Sequence, residues 1–193
     1  MTFLTDFADP AVVLPLSLVA AAMLGLMGWR PGAFLWLLTV GASLGIMVVL
    51  KVAVFDCGPT CIGNLVRSPS GHTASAALVY GGLAGLVARS RGAHLAASFL
   101  PAPVVAFLIG FSRIALGVHT LLDVLIGGAV GCAGALAMLI LAGTPPPRLS
   151  LPPVLAPVIA LVIVMHGYHF HAEGVLNTIA IRYAWLAPFC APR

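Results

Sequence analysis

Two short stretches put ionisable residues into an otherwise apolar chain: "SPSGH" at 68–72 and "SRIALGVHTLLD" at 112–123. In the second, His119 and Asp123 are spaced i, i+4, which places them on one helical face, one turn apart. A carboxylate there accepts from one ring nitrogen of His119, sets the tautomer, and leaves the other nitrogen as a nucleophile or base. In the first, Ser70 has the type and position of a helix N-cap, with Gly71 and His72 in the first turn. The free N–H groups and positive dipole end of such a helix bind anions. Lys51 and Arg113 add positive charge, Arg113 as a fork for two oxygens and Lys51 as a point charge. Two histidines, a carboxylate, a helix N-terminus and two cations suit a phosphate with a nucleophile and an acid beside it. One histidine near a helix end more often caps or faces the interface. The reading therefore rests on three groups falling at one side of the same bilayer.

The elements that must position them are transmembrane helices. Of 193 residues 61% are hydrophobic and only 7% charged, whereas a soluble domain carries about a quarter charged residues. A spanning helix needs about 20 apolar residues. Segments near that length run over Pro10–Trp29, Gly32–Leu50, His72–Ala88, Leu95–Phe111, Val118–Leu141 and Leu151–Tyr168. They predict an all-α polytopic bundle of six transmembrane helices, one domain over 1–193, with no internal repeat or long linker. No stretch alternates as a membrane β-barrel strand does. Gly81-x-x-x-Gly85 and Gly127-x-x-x-Gly131 read as close helix packing. Residues 169–193 read as an interfacial tail, with Leu176, Ile179, Ala180 and Tyr183 on one stripe.

With six spans, the N-terminus, the 51–71 loop, the 112–118 turn and the tail share one face. The other face carries Arg30, Arg89, Arg91 and Arg148, and basic loops favour the cytoplasm. The polar motifs are thus expected outside, at the periplasmic face of a bacterial-type inner membrane. The net charge of +4 reflects this topology and an anion site; no nucleic-acid partner is expected. The sequence leaves the oligomeric state open.

The quoted residues also carry a resemblance. "PSGH" at 69–72 and "SRIALGVHTLLD" at 112–123 resemble the second and third motifs of the type-2 phosphatidate phosphatase superfamily, the third being S-R-x5-H-x3-D with every fixed position matched. The first motif, K-x6-R-P, is matched by "KVAVFDCGP" at Lys51 and Pro59, but Gly58 stands where the arginine belongs. The resemblance implies that His119 is the nucleophile that takes the phosphoryl group and Asp123 the residue that orients it. It implies that His72 is the acid that protonates the leaving oxygen and then the base that activates water. Lys51, Ser70, Gly71 and Arg113 would form the phosphate cradle, with no metal or other cofactor. Arg67, five residues before His72, either supplies the missing guanidinium or faces solvent and headgroups.

The expected activity is hydrolysis of lipid phosphate monoesters or pyrophosphates at the membrane through a phosphohistidine. A lipid phosphotransferase and a non-catalytic protein that binds lipid phosphates are the alternatives. The histidines of "HGYHFH" (His166, His169, His171) lack the spacing of a strong metal site and read as an interfacial belt. Cys57 and Cys61 either pair in an oxidising compartment or stay reduced.

Overall fold

The structure, a computed structural model, describes residues 2–61, 65–146 and 152–167, with Gly174 and Thr178. Among these residues every regular element is a helix. A short turn, α1 (Thr2–Asp6), leads into α2 (Pro10–Leu26). Asp9 caps α2 by accepting from the Ala11 N–H at 2.8 Å, and Pro10 takes the first helical position, where no N–H is needed. Gly28, with φ 88°, turns the chain after α2, a conformation that suits a residue without Cβ.

The next helix, α3 (Arg30–Cys61), corrects the sequence reading. Its 32 residues are about 48 Å long at 1.5 Å each, well beyond a hydrocarbon layer of about 30 Å. Hydropathy alone ends this segment at Leu50 and makes 51–71 a loop. Instead the helix carries Lys51 and runs on to Cys61. The run from Val52 to Cys57 holds no glycine or proline to stop it. Loss of hydropathy marks where a helix leaves lipid, not where it ends. Cys57, Gly58, Pro59 and Cys61 thus lie on the last turns of α3; their side chains lie outside the described residues, and so does the disulfide question.

Next comes a rod of three joined pieces: α4 (Gly71–Ala76), a π-helical stretch (Ala77–Gly81) and α5 (Gly82–Ser90). Then come α6 (Leu95–Phe99) and α7 (Pro101–Ala115), divided at the proline that begins α7. Helix α8 (Leu121–Leu141) follows, and the last described helix is α9 (Pro152–Met165). Each of the six apolar segments thus contains helix. Among the described residues three helical stretches are long and apolar enough to cross a membrane: Arg30–Phe55, Leu95–Ala115 and Leu121–Leu141. Pro10–Leu26 and Leu155–Met165 are shorter apolar helices. Phe34, Val49, Phe107, Leu125 and Ile163 stand exposed on these helices, as side chains that face lipid do.

Helix α8 is the hub, in contact with α3, α4, the π stretch, α5, α6 and α7. Its glycines make this possible. A Cβ on Gly127 would collide with the Ser70 carbonyl, one on Gly131 with the Ala74 carbonyl, and one on Gly134 with the Ser43 hydroxyl. The Gly127/Gly131 pair is therefore the close-packing surface its spacing suggested, and it seats the start of α4 directly on α8. Gly81 and Gly85 do the same against Ala102 and the Ser98 carbonyl. On the far side of the core, fully buried Trp36 donates its indole N–H to the Ser17 carbonyl at 3.0 Å, tying α3 to α2.

Candidate active site

The site is organised around one carboxylate. Asp123 is 0% exposed, and each of its acceptor atoms is used. Oδ1 accepts from the backbone N–H groups of Arg67 (3.1 Å) and Ser68 (3.0 Å), and Oδ2 accepts from the Thr120 N–H at 2.9 Å. The Asp123 carbonyl accepts from the Ser70 N–H at 2.9 Å. The Thr120 hydroxyl accepts from the Asp123 N–H at 3.2 Å, closing a capping box, and donates to the Leu65 carbonyl at 3.1 Å. A buried anion must be met by donors to be tolerable. Here those donors stitch the 65–70 loop to the first turn of α8.

His119 faces this carboxylate, with Nδ1 3.8 Å from Asp123 Oδ2, and is 7% exposed. The route differs from the expected one. Helix α8 begins at Leu121 with Thr120 as its N-cap, so His119 precedes the helix and does not share a helical face with Asp123. The capping box folds the chain back and brings the pair together. Aspartate and threonine compete well for N-terminal positions, and this is why the helix starts three residues later than Val118.

Lys51, 6% exposed, reaches from α3 and donates from Nζ to the Ser68 hydroxyl at 2.8 Å. A Cβ on Gly71 would lie 3.6 Å from Lys51 Cε, in ordinary contact. Ser70 is the N-cap of α4, as expected: its hydroxyl accepts from the Thr73 hydroxyl (2.9 Å) and, more weakly, from the Thr73 N–H (3.4 Å). Gly71 and His72 occupy the first turn. The structure thus brings Lys51, Ser70, Gly71, His119 and Asp123 to one end of the bundle. Arg113 is in the last turn of α7, at the same end. Arg67 enters through its backbone; its side chain is exposed at the rim.

His72 meets a partner absent from the sequence reading of the site. Its Nε2 is 3.9 Å from Oδ2 of Asp9, the cap of α2. Three other contributors also went unmarked. Ser68 holds Lys51, Thr120 caps α8, and the Thr5 hydroxyl meets that of Ser112 at 3.1 Å. Thr120-x-x-Asp123 carries a readable capping-box spacing; Ser68, Asp9 and Thr5 carry no local signal. His166 packs against the rings of Phe3 and Phe7 at centroid distances of 4.6 and 4.5 Å. His169 and His171 lie outside the described residues, as does most of the 169–193 tail. Among the described residues no group of three or more His, Cys, Asp or Glu is arranged to hold a metal ion.

The chain has relatives among known proteins. The model of the PAP2 superfamily matches residues 32–147, more than half of the chain. The chain belongs to the PAP2 superfamily. It is 31% identical over 140 residues to phosphatidylglycerophosphatase B of Bacillus subtilis (strain 168), with 68% of each chain covered. No solved structure matches. The PAP2 match spans α3 to the end of α8, and so takes in Lys51, the 67–72 stretch, Arg113, His119 and Asp123. It leaves out α1, α2 and Asp9.

Proposed function

We propose that this chain is a membrane phosphatase that hydrolyses lipid phosphate monoesters or pyrophosphates through a phosphohistidine at His119, without a metal. The observation that carries the reading is the buried Asp123 carboxylate, which faces His119 Nδ1 and at the same time holds the loop that opens α4. Family membership and the phosphatase named among its relatives support it.

The chemistry follows from the geometry. With Nδ1 turned to Asp123, His119 keeps Nε2 for in-line attack on phosphorus. Lys51, Arg113 and the N–H groups at the start of α4 hold the phosphoryl oxygens as charge shifts. The P–O bond to the lipid breaks, and the leaving oxygen takes a proton from His72. His72, now neutral, removes a proton from water, which attacks the phosphohistidine and releases inorganic phosphate. A site at the end of apolar helices admits a headgroup while the tails stay in lipid. The site faces the periplasm in a bacterial-type inner membrane, with Arg30, Arg89 and Arg91 on the cytoplasmic side.

The test is phosphate release by purified protein from phosphatidate, phosphatidylglycerophosphate and polyprenyl phosphates in mixed micelles, beside His119→Ala. Release abolished by His119→Ala supports hydrolysis. Turnover that needs an added acceptor lipid makes the protein a phosphotransferase, and binding without turnover makes it a lipid-phosphate-binding protein.

A further inference from the structure

The N-terminal segment before the family-matched region is fastened over the start of α4. The Phe7 carbonyl accepts from the Tyr80 hydroxyl at 2.6 Å, and the Ala8 carbonyl accepts from the Ser75 hydroxyl at 3.3 Å. The Thr5 and Ser112 hydroxyls meet at 3.1 Å, and Ala8 is 0% exposed. Contacts to the α4–α5 rod and to α7 thus fix the position of Asp9. Its carboxylate is 5% exposed, with Oδ1 on the Ala11 N–H and Oδ2 3.9 Å from His72 Nε2. That separation is an ion-pair distance, too long for a hydrogen bond, so Asp9 acts on His72 by charge.

The need for that charge comes from where His72 sits. It is the second residue of α4, at the positive end of the helix dipole. Lys51 lies against the neighbouring Gly71. Both features attract phosphate, and both oppose a proton on the imidazole beside it. A general acid in that place needs a fixed anion on its far side. We propose that Asp9 is a positioning residue for the reaction: it holds His72 oriented and protonated, ready to give its proton to the leaving oxygen. The proton moves from His72 to the leaving oxygen as that oxygen takes the P–O electron pair.

This inference rests on the phosphatase reading, and the two fail differently. Full-length protein is assayed on dioleoyl phosphatidylglycerophosphate, a poor alkoxide leaving group, and on p-nitrophenyl phosphate, whose leaving group needs no proton. Asn and Asp cap helices equally well, so Asp9→Asn keeps the α2 cap and removes the charge. Asp9→Ser also caps but is too short to reach His72, and it serves if the amide variant does not fold. The expected loss in kcat on the lipid is at least about tenfold, and on the aryl phosphate under about threefold. Asp9→Glu recovers part of the lipid activity. The Asp9→Asn/His72→Ala double variant is no slower on the lipid than His72→Ala alone. Equal losses on the two substrates, no loss at all, or additive losses in the double variant overturn the role of Asp9. Folded wild-type protein that releases no phosphate from either substrate overturns the phosphatase reading, and this inference with it.

Discussion

Asp123 holds the 65–70 loop and, in the proposed mechanism, orients His119; one substitution tests both tasks. Asp123→Asn can keep one oxygen on the Arg67 and Ser68 N–H groups. Its amide then faces the Thr120 N–H, from which the carboxylate had accepted, and the nearby His119 ring. We expect kcat to fall by about 10³–10⁴ and stability to fall by about 1–3 kcal/mol, read by turnover and by thermal unfolding in detergent. A loss of activity with an unchanged melting temperature would contradict the structural half. The histidines separate by step. With a labelled substrate, rapid quenching and alkaline workup, wild type should yield a phosphoenzyme and His119→Ala none; a phosphoenzyme in His119→Ala would overturn His119 as the nucleophile. His72→Ala still accumulates the phosphoenzyme from a good leaving group, because only the water step then lacks its base. If His119 attacks as the neutral imidazole and His72 serves as the acid, the pH–rate profile should be bell-shaped, and a profile with a single limb would remove one of the two roles. Arg67 makes its structural bond through the backbone, so Arg67→Ala should fold normally. If its exposed side chain supplies the guanidinium that Gly58 lacks, KM rises about tenfold and Gly58→Arg restores part of the loss; an unchanged KM would show a site that works with fewer cations. At this scale the sequence marked ionisable residues that the fold brings together, but not all of their contacts. The His119–Asp123 spacing was legible, whereas the turn that joins them depends on a capping box that competes with the helical register. Ser68 and Asp9 reach partners 17 and 63 residues away, and no local pattern encodes that.

Among the elements, α8 places the site because its glycines let the α4 N-terminus rest on it. Gly127→Ala would drive a methyl group into the Ser70 carbonyl, which is backbone and cannot rotate away. The expected cost is about 1–3 kcal/mol, and activity should fall along with it, since the Ser70 N–H to Asp123 carbonyl bond at 2.9 Å lies in the same joint. Gly41→Ala, where a Cβ meets open space on α3, is the control and should leave both unchanged. If Gly127→Ala is as stable and as active as wild type, the close contact does not position the site. The small-residue spacing is legible in the sequence, and so are the six apolar segments, because hydropathy reports burial in lipid directly. The continuation of α3 past Lys51 is not, because a helix that leaves the membrane loses its hydrophobic signal without losing its hydrogen bonds.

At the level of the whole molecule, a crossing of the bilayer requires length as well as hydropathy. The α4–α5 rod from Gly71 to Ser90 is shorter than α3 and is broken by a π turn, yet its 20 residues span about 30 Å, enough for the hydrocarbon core. If it crosses, its two ends lie in different compartments. The positive-inside bias would then put Arg89 and Arg91 on the cytoplasmic side, and the 65–70 loop, which carries Arg67 and receives Lys51, on the periplasmic side. Leu65 and Arg91 are both exposed and make suitable reporters. In a background with the four native cysteines replaced by serine, Leu65→Cys should react with an impermeant maleimide in intact spheroplasts. Arg91→Cys should react only after lysis. The reverse pattern would put the site in the cytoplasm. Labelling of both from one side would mean that the rod does not cross, and the six-span topology would fail with it. The expected result would place a phosphate site and its acid at the outer surface, where a lipid headgroup could enter while its chains stay beside the exposed faces of α3, α7 and α8.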